Sequence, residues 1–109
     1  MRSITLSEAL ARRRATGEPW LELLRVADLS AGLYVLAAGA VDRQRPHTED
    51  EVYVVLAGRS RFTSGDETRD VGPGDTLFVP AHEAHRFHDI TDELHLVVVF
   101  GPAEGSRAG

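Results

Sequence analysis

From Trp20 onward the sequence falls into short apolar runs, each closed by residues with turn chemistry, and this spacing confines the chain to an all-β sandwich or barrel. The runs are Trp20 to Val26, Gly32 to Ala38, Val52 to Ala57, Arg59 to Thr63, Glu67 to Val71, Thr76 to Val79, His85 to His88 and Leu94 to Phe100. Between them stand Asp28-Leu29-Ser30-Ala31, Ser64-Gly65-Asp66 and Gly72-Pro73-Gly74-Asp75, whose Gly, Pro, Asp and Ser residues favour the backbone angles of tight turns. Eight short strands in this arrangement predict a double-sheet jelly roll.

The residues ahead of Trp20 follow a different rule. Thr5-Leu6-Ser7-Glu8 has the spacing of a capping box, and the good helix formers from Glu8 to Ala15 are stopped by Gly17 and Pro19. The sequence therefore predicts a short α-helix with its lead-in over 1–19, the barrel over 20–102, and a tail over 103–109 whose small and polar residues predict disorder. With 109 residues and no linker, the chain reads as one domain. A domain of this size buries only about two-thirds of the surface its unfolded chain exposes, so a homodimer that covers a leftover apolar face is expected.

Composition removes several function classes. There is no cysteine, which excludes a disulfide framework, a thiolate metal site and a cysteine nucleophile; any metal must be held by nitrogen and oxygen. Met1 to Arg14 lacks the apolar core of a secretory signal, and no apolar run approaches the ~20 residues that span a bilayer, so a soluble cytoplasmic protein without a membrane partner is expected. The net charge is −5, and all twelve basic residues are arginine. The single basic run, Arg12-Arg13-Arg14, lies in the predicted helix and reads as a solvated face, so no nucleic-acid partner is expected. No phosphate-cradling Gly-Lys-Ser/Thr loop and no G-x-S-x-G elbow is present.

Two stretches carry a family resemblance. Pro46-His47-Thr48-Glu49-Asp50-Glu51, continued to Gly58, resembles the first cupin motif, G-x5-H-x-H-x3,4-E-x6-G, with Glu51 and Gly58 in register and His47 in the place of the second histidine. Gly74 to His85 resembles the second motif, G-x5-P-x-G-x2-H, with Gly74, Pro80 and His85 in register. The resemblance covers Gly32 to Pro102 and implies the cupin jelly-roll barrel, a double-stranded β-helix. It also implies a divalent metal held by His47, Glu51 and His85, with iron(II) the first choice and zinc, manganese, nickel or cobalt also compatible with imidazole and carboxylate ligands.

The chain departs from the motifs at two places. Arg45 stands where the first histidine belongs, and a guanidinium has no lone pair to donate. A shortened alignment would instead give His47 the first ligand place and Glu49 the second, which makes Glu49 a reserve ligand. His82 replaces the motif glycine two residues after Pro80, where it is expected to alter a turn and nothing more.

Side chains at i and i+2 of a strand share a face, so His47, Glu51 and Tyr53 would point inward together if the chain is extended through them, as would His85 and Phe87. Two imidazoles and a carboxylate then leave coordination positions open; the alternative is a barrel that has lost its metal and keeps these groups as hydrogen-bonded core residues. Tyr53, Phe87, His95 and Arg45 are the expected substrate-pocket residues, with His95 a potential acid/base group and Arg45 a potential anion contact at the mouth. His82 and His88 fall on the opposite face from His85. A metal-dependent dioxygenase or isomerase acting on a small organic molecule is one functional expectation. The others are a non-catalytic ligand-binding or sensing barrel with a structural metal, and a metal-free partner protein.

Overall fold

The computed structural model describes residues 1–108, which form one helix and six strands around a barrel core. The helix α1 spans Leu6–Thr16; Thr5 Oγ1 accepts from the Glu8 N–H at 3.1 Å, and Gly17 closes the helix in the left-handed conformation. Ala9 turns inward from α1 onto Leu33 and Val35, a small satellite of the main core joined by Ile4, Leu10 and Leu23. No helix among the described residues is long and apolar enough to cross a membrane.

The strands are β1 Trp20–Val26, β2 Leu29–Leu36, β3 Asp50–Ser64, β4 Glu67–Val71, β5 Thr76–Val79 and β6 His85–Gly101. All pairings are antiparallel, in the order β1-β2-β6-β3-β4, with β5 also on β3. Eight expected strands become six because two pairs of runs join. Val52–Ala57 and Arg59–Thr63 form one bent strand, β3, and His85–His88 continues through Leu94–Phe100 as β6. Register shifts between Val55 and Arg61 absorb the bend without ending the ladder. Gly58 lies inside this region at φ 91°, where a Cβ would come within 2.2 Å of the Glu93 carbonyl oxygen; only glycine lets β3 and β6 approach so closely.

Two further expectations are corrected. Leu29, Ser30 and Ala31 belong to β2 rather than to a turn, and Ser30 is fully buried. The tail, which composition marks as disordered, folds back on the barrel as far as residue 108, whereas Gly109 lies outside the described residues. Three backbone donors explain it. The Glu104 N–H donates to Ser30 Oγ at 2.8 Å, and the Gly105 and Arg107 N–H groups donate to the Glu49 carboxylate at 2.8 and 3.1 Å. Ala103 is buried beneath them.

Inward alternation along the long strands builds the core. On β3 the inner positions are Glu51, Tyr53 and Val55, and on β6 they are His85, Phe87, Leu94, Leu96, Val98 and Phe100. Two polar groups in this otherwise apolar list, Glu51 and His85, lie at one end of the barrel.

Candidate metal centre

Glu51 enters the barrel on the second residue of β3, and His85 enters on the first residue of β6. His47 comes from the irregular segment ahead of β3, which the other motif holds in place: the His82 N–H donates to the His47 carbonyl at 2.7 Å, and the Ala81 N–H to Asp50 Oδ1 at 2.9 Å. The motif stretches thus meet through their turns as well as their ligands. His47, Glu51 and His85 each offer a donor atom within 4.8 Å of the others. Nε2 of His85 is 3.0 Å from Glu51 Oε1, and Nε2 of His47 is 4.0 Å from Glu51 Oε2.

Hydrogen bonds fix which atoms face inward. Nδ1 of His85 lies 2.8 Å from the Glu83 carbonyl, which can only accept, so Nδ1 carries a proton and Nε2 is turned toward the centre. Nδ1 of His47 faces Glu104 Oε2 at 3.5 Å, a longer electrostatic contact rather than a hydrogen bond, and its Nε2 faces Glu51. Glu51 is 2 % exposed, and its Oε1 accepts no well-directed hydrogen bond. A buried carboxylate oxygen without a donor is costly unless a cation neutralises it. The donor set therefore fits a divalent ion.

Burial lowers the basicity of His85, but the Glu51 carboxylate and the Glu83 carbonyl outweigh it and leave its pKa raised. Burial and then the neighbouring Glu51 charge push the Tyr53 hydroxyl well up, so it stays protonated and donates to Gln44 Oε1 at 2.8 Å. Burial also raises the Glu104 carboxyl.

The expected pocket residues separate. Tyr53 lines a cavity of about 390 Å³ beside the cluster. Phe87 does not; it packs edge-on against Tyr53 and tilted against Phe62 in the core. His95 points outward, because its neighbours Leu94 and Leu96 take the inner face of β6, and it pairs with Glu93 at 2.8 Å. Arg45 is exposed outside the cavity lining, and Arg43 is the arginine on the wall. Glu49 is no reserve ligand: burial would raise its carboxyl, but bonds from Thr48 Oγ1 and the Gly105 and Arg107 amides hold its pKa below the ordinary value and its oxygens on the tail. His82 is exposed, and His88 pairs with Asp89.

Residues that sequence reasoning missed are Asp42, Gln44 and Glu104. Asp42, nearly buried, accepts from Tyr34 Oη at 2.7 Å, Gln44 Nε2 at 2.6 Å and the Phe87 N–H at 2.9 Å. All three missed residues sit on irregular segments, where no periodicity signals inward direction. The rest of the cavity is largely apolar, walled by Trp20, Leu36, Val41, Val98 and Phe100.

Comparison with known proteins follows the same lines. The family model described as Cupin domain matches residues 32–100. An uncharacterized protein of Streptomyces coelicolor is 45% identical over 104 residues, covering 95% of this chain and 99% of the relative. The crystal structure of the Thermus thermophilus protein TT1209 superposes with a TM-score of 0.74 at 25% identity, covering 94% of this chain and 99% of that one. The DMSP lyase DddQ from Ruegeria pomeroyi superposes at 0.66 with 26% identity over 77% of this chain, which spans only 42% of the lyase.

Proposed function

The chain belongs to the cupin family, and we propose that His47, Glu51 and His85 hold one divalent metal ion, with iron(II) the first choice, that serves a reaction on a small organic molecule in the adjoining cavity. The observation that carries this is the buried Glu51 carboxylate, its Oε1 without a well-directed hydrogen bond, set between the Nε2 atoms of His85 and His47, with Glu51 and His47 on the wall of a largely apolar cavity. When bound, such an ion supplies Lewis acidity and open coordination positions for substrate or dioxygen. The protein's own part is to exclude water with Trp20, Leu36, Val41, Val98 and Phe100, and to offer Arg43 to an anionic group of the ligand. Iron(II)-loaded protein that takes up no oxygen across a panel of phenols and organic acids would remove the dioxygenase version; conversion of the same compounds without oxygen uptake would favour an isomerase or lyase. Similarity to the DMSP lyase supports the non-oxidative version.

A second reading, a barrel that binds or senses a ligand without turning it over, is favoured by one observation: His95, the acid/base histidine the sequence offered, faces away from the cavity. His85→Ala that abolishes turnover while leaving ligand affinity intact would exclude it. For the metal itself, elemental analysis of purified protein beside Glu51→Ala is the test. About one ion per chain in the parent and none in the variant is expected; equal content in both would overturn the site.

A further inference from the structure

Arg45 occupies the first-histidine place of the motif, yet the structure does not leave that side of the centre without a donor. We propose that the Gln44 side-chain carbonyl is the fourth ligand, so that the set is two imidazoles, a carboxylate and an amide oxygen. This rests on the reading that His47, Glu51 and His85 hold an ion.

Gln44 Oε1 lies 3.2 Å from His85 Nε2, close to the 3.0 Å that separates the same nitrogen from Glu51 Oε1. Ligand bonds of about 2.1 Å set at right angles place adjacent donor atoms about 3 Å apart, so both separations suit neighbouring corners of one coordination shell. The amide orientation is fixed. Gln44 Nε2 donates to Asp42 Oδ2 at 2.6 Å, and a carboxylate can only accept, so the nitrogen belongs on the Asp42 side and the oxygen on the side of the centre. Asp42 is itself held by the Tyr34 hydroxyl and the Phe87 N–H. Tyr53 Oη donates to Gln44 Oε1 at 2.8 Å, which uses one of its two lone pairs and leaves the other for an ion.

Around His85 Nε2 stand three oxygens: Gln44 Oε1 and the Tyr53 hydroxyl, each at 3.2 Å, and Glu51 Oε1 at 3.0 Å. The Tyr53 proton is directed to Gln44 Oε1 at 2.8 Å, so Gln44 and Glu51 face the nitrogen as acceptors, and an ion between them satisfies both and the nitrogen together. The neighbour of the missing histidine thus supplies what Arg45, exposed and outside the cavity lining, does not.

Cobalt(II) is a suitable probe, since its visible absorption reports coordination number and donor type without any turnover. Cobalt affinity and spectrum are measured for the full-length parent, Gln44→Leu, Gln44→Glu and Glu51→Ala. Glu51→Ala should take up no cobalt. Gln44→Leu should bind it about 10- to 100-fold more weakly, at least the cost of disturbing an outer partner, with altered visible bands. Gln44→Glu, which keeps an oxygen but sets a second carboxylate against Asp42, should be less stable without metal and show a larger cobalt-induced rise in Tm than the parent. Should Gln44→Leu fail to fold, the Gln44→Glu shift decides, and a rise no larger than the parent's overturns the assignment. Gln44→Leu with the parent's spectrum overturns it as well, whether affinity falls or not, and leaves the three-ligand site standing so long as Glu51→Ala loses cobalt. A parent chain that binds no cobalt overturns the three-ligand site and this assignment together.

Discussion

The wall and the rim of the candidate centre are built by different means. On the wall, Glu51 and His85 sit on β3 and β6, almost wholly buried, and the pleat of paired strands dictates where they point. On the rim, Gln44, His47 and Glu104 sit on irregular segments, and each is aimed by side-chain contacts: Asp42 for Gln44, Glu104 for His47, and Glu49 with Ser30 for the tail that carries Glu104. A ladder of backbone bonds cannot be broken at one residue without unfolding the barrel. A single rim contact, worth about 1 kcal/mol net, can be lost alone. The wall fixes where an ion would sit, and the rim sets how tightly and in what geometry it is held.

The largest expected effect separates the two histidines. His85→Ala removes a proposed ligand from the rigid wall, and with it the imidazole nitrogen 3.0 Å from the buried Glu51 carboxylate, so metal affinity should fall by well over about 100-fold, more than outer partners cost, with a lower Tm of the metal-free protein besides. His47→Ala removes a ligand with 21 % of its side chain exposed, where water can substitute, and should cost less affinity and almost no metal-free stability. Competition titrations and melting curves for the two variants check this. Equal losses in both would break the distinction between wall and rim.

Next in size is Glu104. Its carboxylate stands 3.5 Å from His47 Nδ1, in the position of the outer carboxylates that hold a ligating imidazole in one tautomer. Glu104→Ala should weaken metal binding by about 10-fold, the low end for such partners because Glu104 is partly solvated. Deleting residues from Ala103 onward should cost at least as much. If the deletion binds metal as well as the parent, the tail has no part in the centre.

The same division explains what the sequence discloses. Alternation and the two motif registers place Glu51, His85 and Tyr53 on the inner face, because the i, i+2 rule needs only the knowledge that a strand is there. That rule also excludes His95, since Leu94 and Leu96, both 0 % exposed, claim the inner face of β6. The rim is not legible in this way. Nothing local tells that Ser30 and Glu49 will accept tail amides, so Ala103 to Ala108 reads as a solvated end by composition, and Glu104 goes unnoticed with it. Nor does spacing tell Gln44 from Arg45; the choice depends on Asp42, whose partners Tyr34 and Phe87 lie on distant strands. Strand number fails for a related reason, since the bends at Gly58 and Asp89 resemble turns in sequence while the ladder continues through them.

Glu49 carries a smaller effect with a defined pH sense. Its carboxyl is held below the ordinary value when folded, so its contribution is fully present above that ordinary value and is lost as pH falls through the lowered folded one. Amide hydrogen exchange at Gly105 and Arg107 should therefore be slow near neutrality and accelerate in that acid range, before the barrel strands open. Glu49→Gln should remove most of this protection at neutral pH, at a cost of about 1–2 kcal/mol in local opening, because a charged acceptor is replaced by a neutral one. Protection of these two amides that does not change with pH would detach Glu49 from the tail.

The smallest effect falls on the turn that joins the two motif stretches. His82 has φ 68°, in the left-handed region that favours glycine, which is what the second motif carries there. The substitution expected to alter only a turn leaves the turn's shape in place, with the strain carried by a non-glycine residue whose N–H still reaches the His47 carbonyl. A side chain in this conformation costs roughly 1–2 kcal/mol, part of which glycine gives back through the greater freedom of its unfolded chain. His82→Gly should thus stabilise the protein by about 0.5–1 kcal/mol in denaturant unfolding, with metal affinity changed by less than about twofold, since backbone rather than imidazole holds His47. A loss of metal affinity in this variant would mean that the exposed His82 ring, and not its backbone, takes part in the centre.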